Sequence, residues 1–368
     1  MRETSKCTFG EFLAVALVGV ASPIIRIVIS RTAASAGKAS WLSPIFGAAA
    51  VVVIVFFVLD SCSENGTDML DALSAVFGNV PGRIIGGVYG VFVLVVVSMV
   101  VREYAERLVS TIFPGWNVWI FTGTLIFLCL FAALRSLHTL GLAAKIFGKI
   151  ILAIGGVVLL FSLKSVNINN ALPVGGKDAL SSAKGIMPTI SAFSALIHMG
   201  FLMRQVQRRE RGKTITALSC IGVCLIMAAT IFVTIGVFGA EYVAHSSISF
   251  FALAKGVKIF DVAQHIESIV VAAWVLSDFV LVAVEIMTIR NIFGRALGIK
   301  KEKYVGIIVA AALFAAATWG YKGTMQIEEK IAPILQPLNV VVNMTLAALI
   351  WGMRKLRQKR SKNFEKSS

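Results

Sequence analysis

The feature that most constrains this chain is a succession of apolar runs, each about long enough to carry an α-helix across a bilayer. They fall at roughly 8–30, 40–59, 83–110, 117–134, 141–162, 185–203, 214–239, 267–290, 304–321 and 333–352. Of the 368 residues, 57% are apolar and only 15% are charged, against about 45–50% and about 25% in a soluble domain. The segments between the runs are too short to bury a core of their own. The chain therefore reads as an all-α integral membrane protein of about ten transmembrane helices. It forms one transmembrane domain over 1–368, with a basic tail at 353–368. The first run holds Pro23 and Arg26, and the small residues at 33–37 imitate a signal-peptidase site. The run is long enough to span and is expected to persist as a permanent first helix.

The formal net charge of +16 does not point to nucleic acid, because the basic residues gather in short segments between apolar runs. Arg204, Arg208, Arg209, Arg211 and Lys213 precede the seventh run. Arg290, Arg295, Lys300, Lys301 and Lys303 separate the eighth from the ninth, and Arg354, Lys355, Arg357, Lys359, Arg360, Lys362 and Lys366 follow the tenth. Two spans part each segment from the next, so all three share one side, the cytoplasm by the positive-inside rule. Counting back through six spans puts the N-terminus there as well. Anionic lipid is the fitting partner for these segments. The segment at 60–82, with Asp60, Glu64, Asp68 and Asp71, lies on the same side, and the loops near 163–184 and 240–266 lie outside.

Ten spans divide into two halves of five, about 8–162 and 185–352. An odd number per half inverts the second half relative to the first, the arrangement of many secondary transporters, whose first helix in each half is often broken at mid-membrane. The first span carries Gly19-Val20-Ala21-Ser22-Pro23 near its middle. Pro23 has no N–H to give the carbonyl one turn back, and Gly19 adds backbone freedom. The sixth span carries Pro188, then Ser191, Phe193 and Ser194, then Gly200. Both halves thus open with an interrupted helix, where an ordinary kinked helix is the alternative.

Ionisable residues inside spans are costly and face the protein interior. In the eighth span Glu267, Trp274, Asp278 and Glu285 share one helix face, with Ser277 beside Asp278. Asp278 reads equally as an ion or proton site and as a structural ion pair, while Glu267 and Glu285 read as structural pairs. Arg26, Arg102, Glu103 and His198 are the available partners, and His198 reads as a packed, hydrogen-bonded histidine.

No enzyme motif is present: the four histidines are scattered, and there is no GxSxG or P-loop. Nor is there a cofactor or metal motif. Cys7, Cys62, Cys129, Cys220 and Cys224 form no CxxC and read as small apolar filler. Gly82, Gly86, Gly87 and Gly90 open the third span and read as a close-packing face.

Several stretches together resemble one family. They are Gly87-Val88-Tyr89 running to Arg102-Glu103-Tyr104-Ala105-Glu106 and Phe113-Pro114; the run from Gly141 to Phe161 with Asn167 and Pro173 after it; His265-Ile266-Glu267 before Trp274; and Pro333 with Pro337. In order and spacing these are similar to the spore germination permeases, the GerAB-type B subunits of nutrient germinant receptors, within the amino acid–polyamine–organocation transporter superfamily. The resemblance covers nearly the whole chain. It implies a LeuT-like fold with broken first and sixth helices and a ligand held between them and the third and eighth. It also implies assembly with a receptor A subunit and a lipoprotein C subunit in the spore inner membrane. The family often carries an aromatic–Gly–Glu element in the sixth helix, where this chain has Phe193-Ser194-Ala195-Leu196 and no acid.

The expected function is a receptor subunit that binds a small nutrient, an amino acid, and passes a conformational signal to partner subunits. The alternatives are an ion- or proton-coupled amino acid transporter and a scaffold without ligand binding. The expected ligand contacts are Gly19, Val20, Ala21, Ser22, Ser191, Phe193, Ser194 and Trp274, with Asp278 and Ser277 as candidates for ion or proton coupling.

Overall fold

A computed structural model describes residues 6–62, 66–172, 175–207, 210–246, 248–256 and 266–367. Glu64, Pro173, Arg208, Arg209 and His265, and the side chains of Arg26 and Glu267, lie outside the described residues.

The helices in chain order are α1 (Phe9–Pro23), α2 (Ile29–Ala36), α3 (Ser43–Ser61), α4 (Met69–Phe77), α5 (Asn79–Thr111), α6 (Val118–Ala133), α7 (Leu137–Ser162), α8 (Gly176–Lys184), α9 (Ile186–Ala192) and α10 (Ser194–His198). They continue as α11 (Gly212–Phe238), α12 (Ala240–His245), α13 (Ser249–Gly256), α14 (Ile266–Ala296), α15 (Glu302–Trp319), α16 (Thr324–Gln326) and α17 (Ala332–Ser367). Each expected span falls on helix. Among the described residues seven helical stretches are long and apolar enough to cross a membrane, and Leu180–Ala192 with Ser194–Gln205, bent by 42°, makes an eighth if the pair is one span. Phe9–Pro23 and Val118–Ala133 are shorter apolar helices at the first and fourth positions. Helices dominate because hydrocarbon offers no partner to backbone N–H and C=O, and a helix satisfies them within one segment.

Local chemistry sets the ends. Thr8 and Glu11 cap α1 reciprocally: the Thr8 N–H donates to Glu11 Oε2 at 2.8 Å, and the Glu11 N–H donates to Thr8 Oγ1 at 3.4 Å. Asp68 and Asp71 do the same for α4. The first span runs on beyond the expected residue 30 to Ala36. There Gly37, at φ +56°, takes a conformation open to glycine and stops it.

Contacts sort the span ends into two faces. At one, Cys7 bridges Val206, Lys213 and the Trp351 Nε1–H bind Asp60, Arg295 binds Asp68 and Asp71, and Glu11 meets His138 and Lys145. At the other, Lys38 donates to the Asn169 carbonyl at 3.1 Å and Ser182 to that of Ala39 at 2.8 Å, while the Asn167 N–H donates to the Gly236 carbonyl at 2.9 Å. Residues 7, 60, 68, 138, 206, 213, 295 and 351 thus share one end, and 38, 169, 182 and 236 share the other. Spans that alternate in direction require this sorting. Lys213, Arg295 and Arg354, one from each basic segment, meet at the first end. Burial pushes the Asp68 carboxyl up there, against the pull of Arg295 and with Asp71 adding to it.

Candidate functional site

The first span is interrupted, though by a widened turn and not an unwound stretch. Residues 19–23 stay in α1, and Ile24–Val28 form a π-helical turn before α2 resumes. Pro23 removes one N–H from the ladder and its ring crowds the carbonyl four residues back, and a π turn relieves both. One turn earlier, Ser277 of α14 reaches into the same helix. Its hydroxyl donates to the Val18 carbonyl at 2.6 Å and accepts from the Ser22 N–H at 2.8 Å.

That contact belongs to a buried cluster. The Ser22 hydroxyl donates to Asp278 Oδ1, and Arg107 Nη2 of α5 donates to Asp278 Oδ2 at 3.1 Å. The guanidinium lies 5.1 Å above the ring of Trp274, which sits 5.9 Å from the ring of Phe251. Asp278 is fully buried and Trp274 nearly so. Three helices are thus tied by one carboxylate, with the first helix held through Ser22. Ser22, Ser277, Asp278 and Trp274, singled out separately in the sequence, come together here. Arg107 was not among the expected residues. It lies inside the expected third span, where an ionisable residue is itself the signal.

The sixth span breaks between α9 and α10. At Phe193 the ladder tightens, with the Phe193 N–H donating to the Ile190 carbonyl and the Leu196 N–H to the Phe193 carbonyl, both at 3.0 Å. Met199–Gln205 then continues as a 3-10 helix. Beside this break and the π turn lies a cavity of about 60 Å³, lined by Pro23, Ile27 and Val28, by α5 over 96–100, by Pro188, Ser191, Ala192, Ser194, Ala195 and His198, by Leu281 and Glu285 of α14, and by Leu335, Gln336 and Asn339 of α17. At about 10–15 Å³ per water it holds roughly four to six waters. A second space of about 350 Å³, lined in part by Arg31, Glu103, Glu106, Arg107, His245 and Glu328, lies beyond it, and Ile27 lines both.

Ser191 and Ser194 therefore face the cavity. Gly19, Val20 and Phe193 are buried but do not line it: a Cβ on Gly19 would meet Leu281 Cδ1 at 3.5 Å, and Val20 and Phe193 pack in the core. Ala21 borders an apolar groove against α7 and α11. The cavity's polar lining is largely from residues the sequence did not nominate. His198 Nδ1 and Glu285 Oε1 are 2.8 Å apart, both residues almost fully buried. The pairing fits the expectation of a packed histidine and a structural acid, but both also border the cavity. Tyr89 stands edge-on to His198 with ring centroids 5.9 Å apart and donates its hydroxyl to Asn343 Oδ1. Asn343 Nδ2 donates to Asn339 Oδ1 at 2.7 Å. The sequence signal was the acid face of the eighth span, on which Glu285 lies about two turns beyond Asp278.

A sequence profile for a family of permeases described as spore germination protein matches residues 7–320. The chain belongs to the spore germination permease family. No curated protein matches it. Solved structures show the fold of this permease. It is similar to MhsT in complex with L-phenylalanine, at 13% identity and a TM-score of 0.66, over 92% of this chain and 88% of that one. It is similar to MHP1, a nucleobase-cation-symport-1 family transporter, in a closed conformation with bromovinylhydantoin bound, at 12% identity and a TM-score of 0.64, over 95% and 78%. A Na+-coupled sialic acid symporter, substrate-bound and outward-open, gives 12% identity and a TM-score of 0.63, over 92% and 77%. The germination permease is thus an all-helical membrane protein of LeuT-type fold, transporter-like in architecture.

Proposed function

We propose that this permease is the membrane subunit of a germinant receptor. It binds a small nutrient, an amino acid, in the cavity between the interrupted first and sixth spans, and it signals to an A subunit and a lipoprotein C subunit. The single observation that carries the reading is the cavity itself: a space with polar side chains at its wall, set where both interrupted helices meet α5, α14 and α17. A ligand there touches all five elements, so it can favour one packing of the bundle over another, which is what a receptor needs. The membership in the spore germination family supports the spore context. By the positive-inside rule, the face that gathers both termini and the basic segments is the cytoplasmic one, and the membrane is the spore inner membrane.

Asp278 is the candidate for ion or proton coupling in the transporter alternative. Its partners, Arg107 and Ser22, engage both carboxylate oxygens, which favours a latch between helices over a coupling site. The test is labelled L-alanine offered to the full chain in proteoliposomes. The receptor reading expects saturable binding that stops at the amount of protein present. Steady accumulation inside the vesicles would make the chain a transporter.

A further inference from the structure

Two residues that line the cavity each carry a buried atom that the protein leaves without a hydrogen-bond partner: Nε2 of His198 and Oε2 of Glu285. Both residues are at least nine-tenths buried, at 1% and 2% exposure, and both line the cavity. Orphaned buried polar atoms are uncommon because each costs the free energy of its lost hydration. Two at one cavity mark a place where something else completes the bonding.

Their chemistry specifies what. A carboxylate only accepts hydrogen bonds. With Glu285 Oε1 2.8 Å from His198 Nδ1, the proton between them belongs to Nδ1. In the neutral imidazole Nε2 is then a bare acceptor. With Glu285 ionised and His198 neutral, the two lining residues carry two acceptors, one of them anionic, a set that suits a donor with more than one N–H and a positive charge.

The rest of the wall limits the ligand further. Among the described residues no Lys or Arg lines the cavity, so none of them offers a cation to a carboxylate. Asn339 spends its Oδ1 on Asn343, which leaves its amide N–H₂ as a neutral donor on the wall. The other lining side chains are mostly apolar, among them Val96, Val97, Val100, Leu281 and Leu335.

We infer that Glu285 and His198 form the ammonium subsite of this permease, and that the site takes a small primary amine on a short aliphatic body. The amine is recognised by charge, and the other end by a neutral amide that accepts a hydroxyl as readily as a carboxylate. This rests on the central cavity being the ligand site.

The test uses the full chain in lipid nanodiscs and three probes of similar size: L-alanine, L-alaninol, which keeps the amine and loses the carboxylate, and L-lactate, which keeps the carboxylate and loses the amine. The expected result is binding of alanine and alaninol within one order of magnitude of each other. Lactate should be weaker by about two orders of magnitude or more, because it leaves both buried acceptors unpaired. Glu285→Gln should weaken alanine by about thirtyfold or more. Should that variant fail to fold, the three probes on the unaltered protein decide the matter alone. Lactate binding as tightly as alanine, or a folded Glu285→Gln protein binding alanine normally, overturns the ammonium subsite and leaves the cavity as ligand site standing. If none of the three binds the unaltered protein, the ligand-site reading falls and the subsite with it.

Discussion

Asp278 holds a negative charge at full burial in the middle of a span, where Arg107 and Ser22 engage its two oxygens. Removing that charge takes from the guanidinium its buried carboxylate partner. Asp278→Asn is expected to lower stability by about 3–5 kcal/mol, read as a shift in the unfolding midpoint in detergent; an unchanged midpoint would show that the pair is not what ties α1, α5 and α14. The sequence made Asp278 and Ser277 visible because charge and hydroxyl groups stand out in an apolar run. Arg107 was less visible: it sits in the last turn of the expected third span, where basic residues usually reach for the membrane surface. His198 and Glu285 were each legible as a buried group, a packed histidine and a structural acid, but not as partners of one another. Their unsatisfied atoms were not, because whether an atom has a partner depends on what four other helices place around it.

At the scale of elements, the glycines opening α5 show how a small-residue face works. A Cβ on Gly82 would meet the backbone of Ser74 at 2.7 Å, on Gly86 the Leu70 side chain at 2.5 Å, and on Gly90 Ile292 at 3.1 Å, while one on Gly87 would meet nothing. The spacing of four puts the first three on one face against α4 and α14. Gly82→Ala is therefore expected to cost about 1–3 kcal/mol by overpacking against a backbone that has little room to yield. Gly87→Ala should be neutral or stabilising, since Ala favours the helix by about 0.5–1 kcal/mol. Equal midpoints for the two variants would contradict the packing. The face was readable from the sequence, but its odd member was not, because Gly87 differs only in which way it points. The interruptions divide in the same manner. Proline and glycine announced where the first and sixth spans depart from a straight α-helix. They did not announce the form, since a lost hydrogen bond can be absorbed by unwinding, by a π turn as at Ile24–Val28, or by a tight turn as at Phe193. Gly19, Val20 and Ala21 lie outside the lining of the central cavity.

Across the whole molecule, the alternation of spans and the gathering of basic segments at one end followed from hydropathy and charge alone, because the bilayer imposes both. The division into a small central cavity and a larger outer space did not, being a property of packing. Ile27 stands between the two. Ile27→Ala should open the passage and speed both association and release of a bound amine, measured by stopped-flow binding; unaltered rates would place the entry path elsewhere. A receptor of this build needs a ligand in the space at the two interrupted helices. Ser194 borders it, and the native cysteines Cys7, Cys62, Cys129, Cys220 and Cys224 are buried thiols that form no disulfide. The direct measurement is the rate at which a small thiol reagent labels Ser194→Cys in nanodiscs, with and without saturating L-alanine. A ligand in the cavity slows that labelling severalfold; a rate that stays the same while alanine is demonstrably bound would put the ligand somewhere else in the protein.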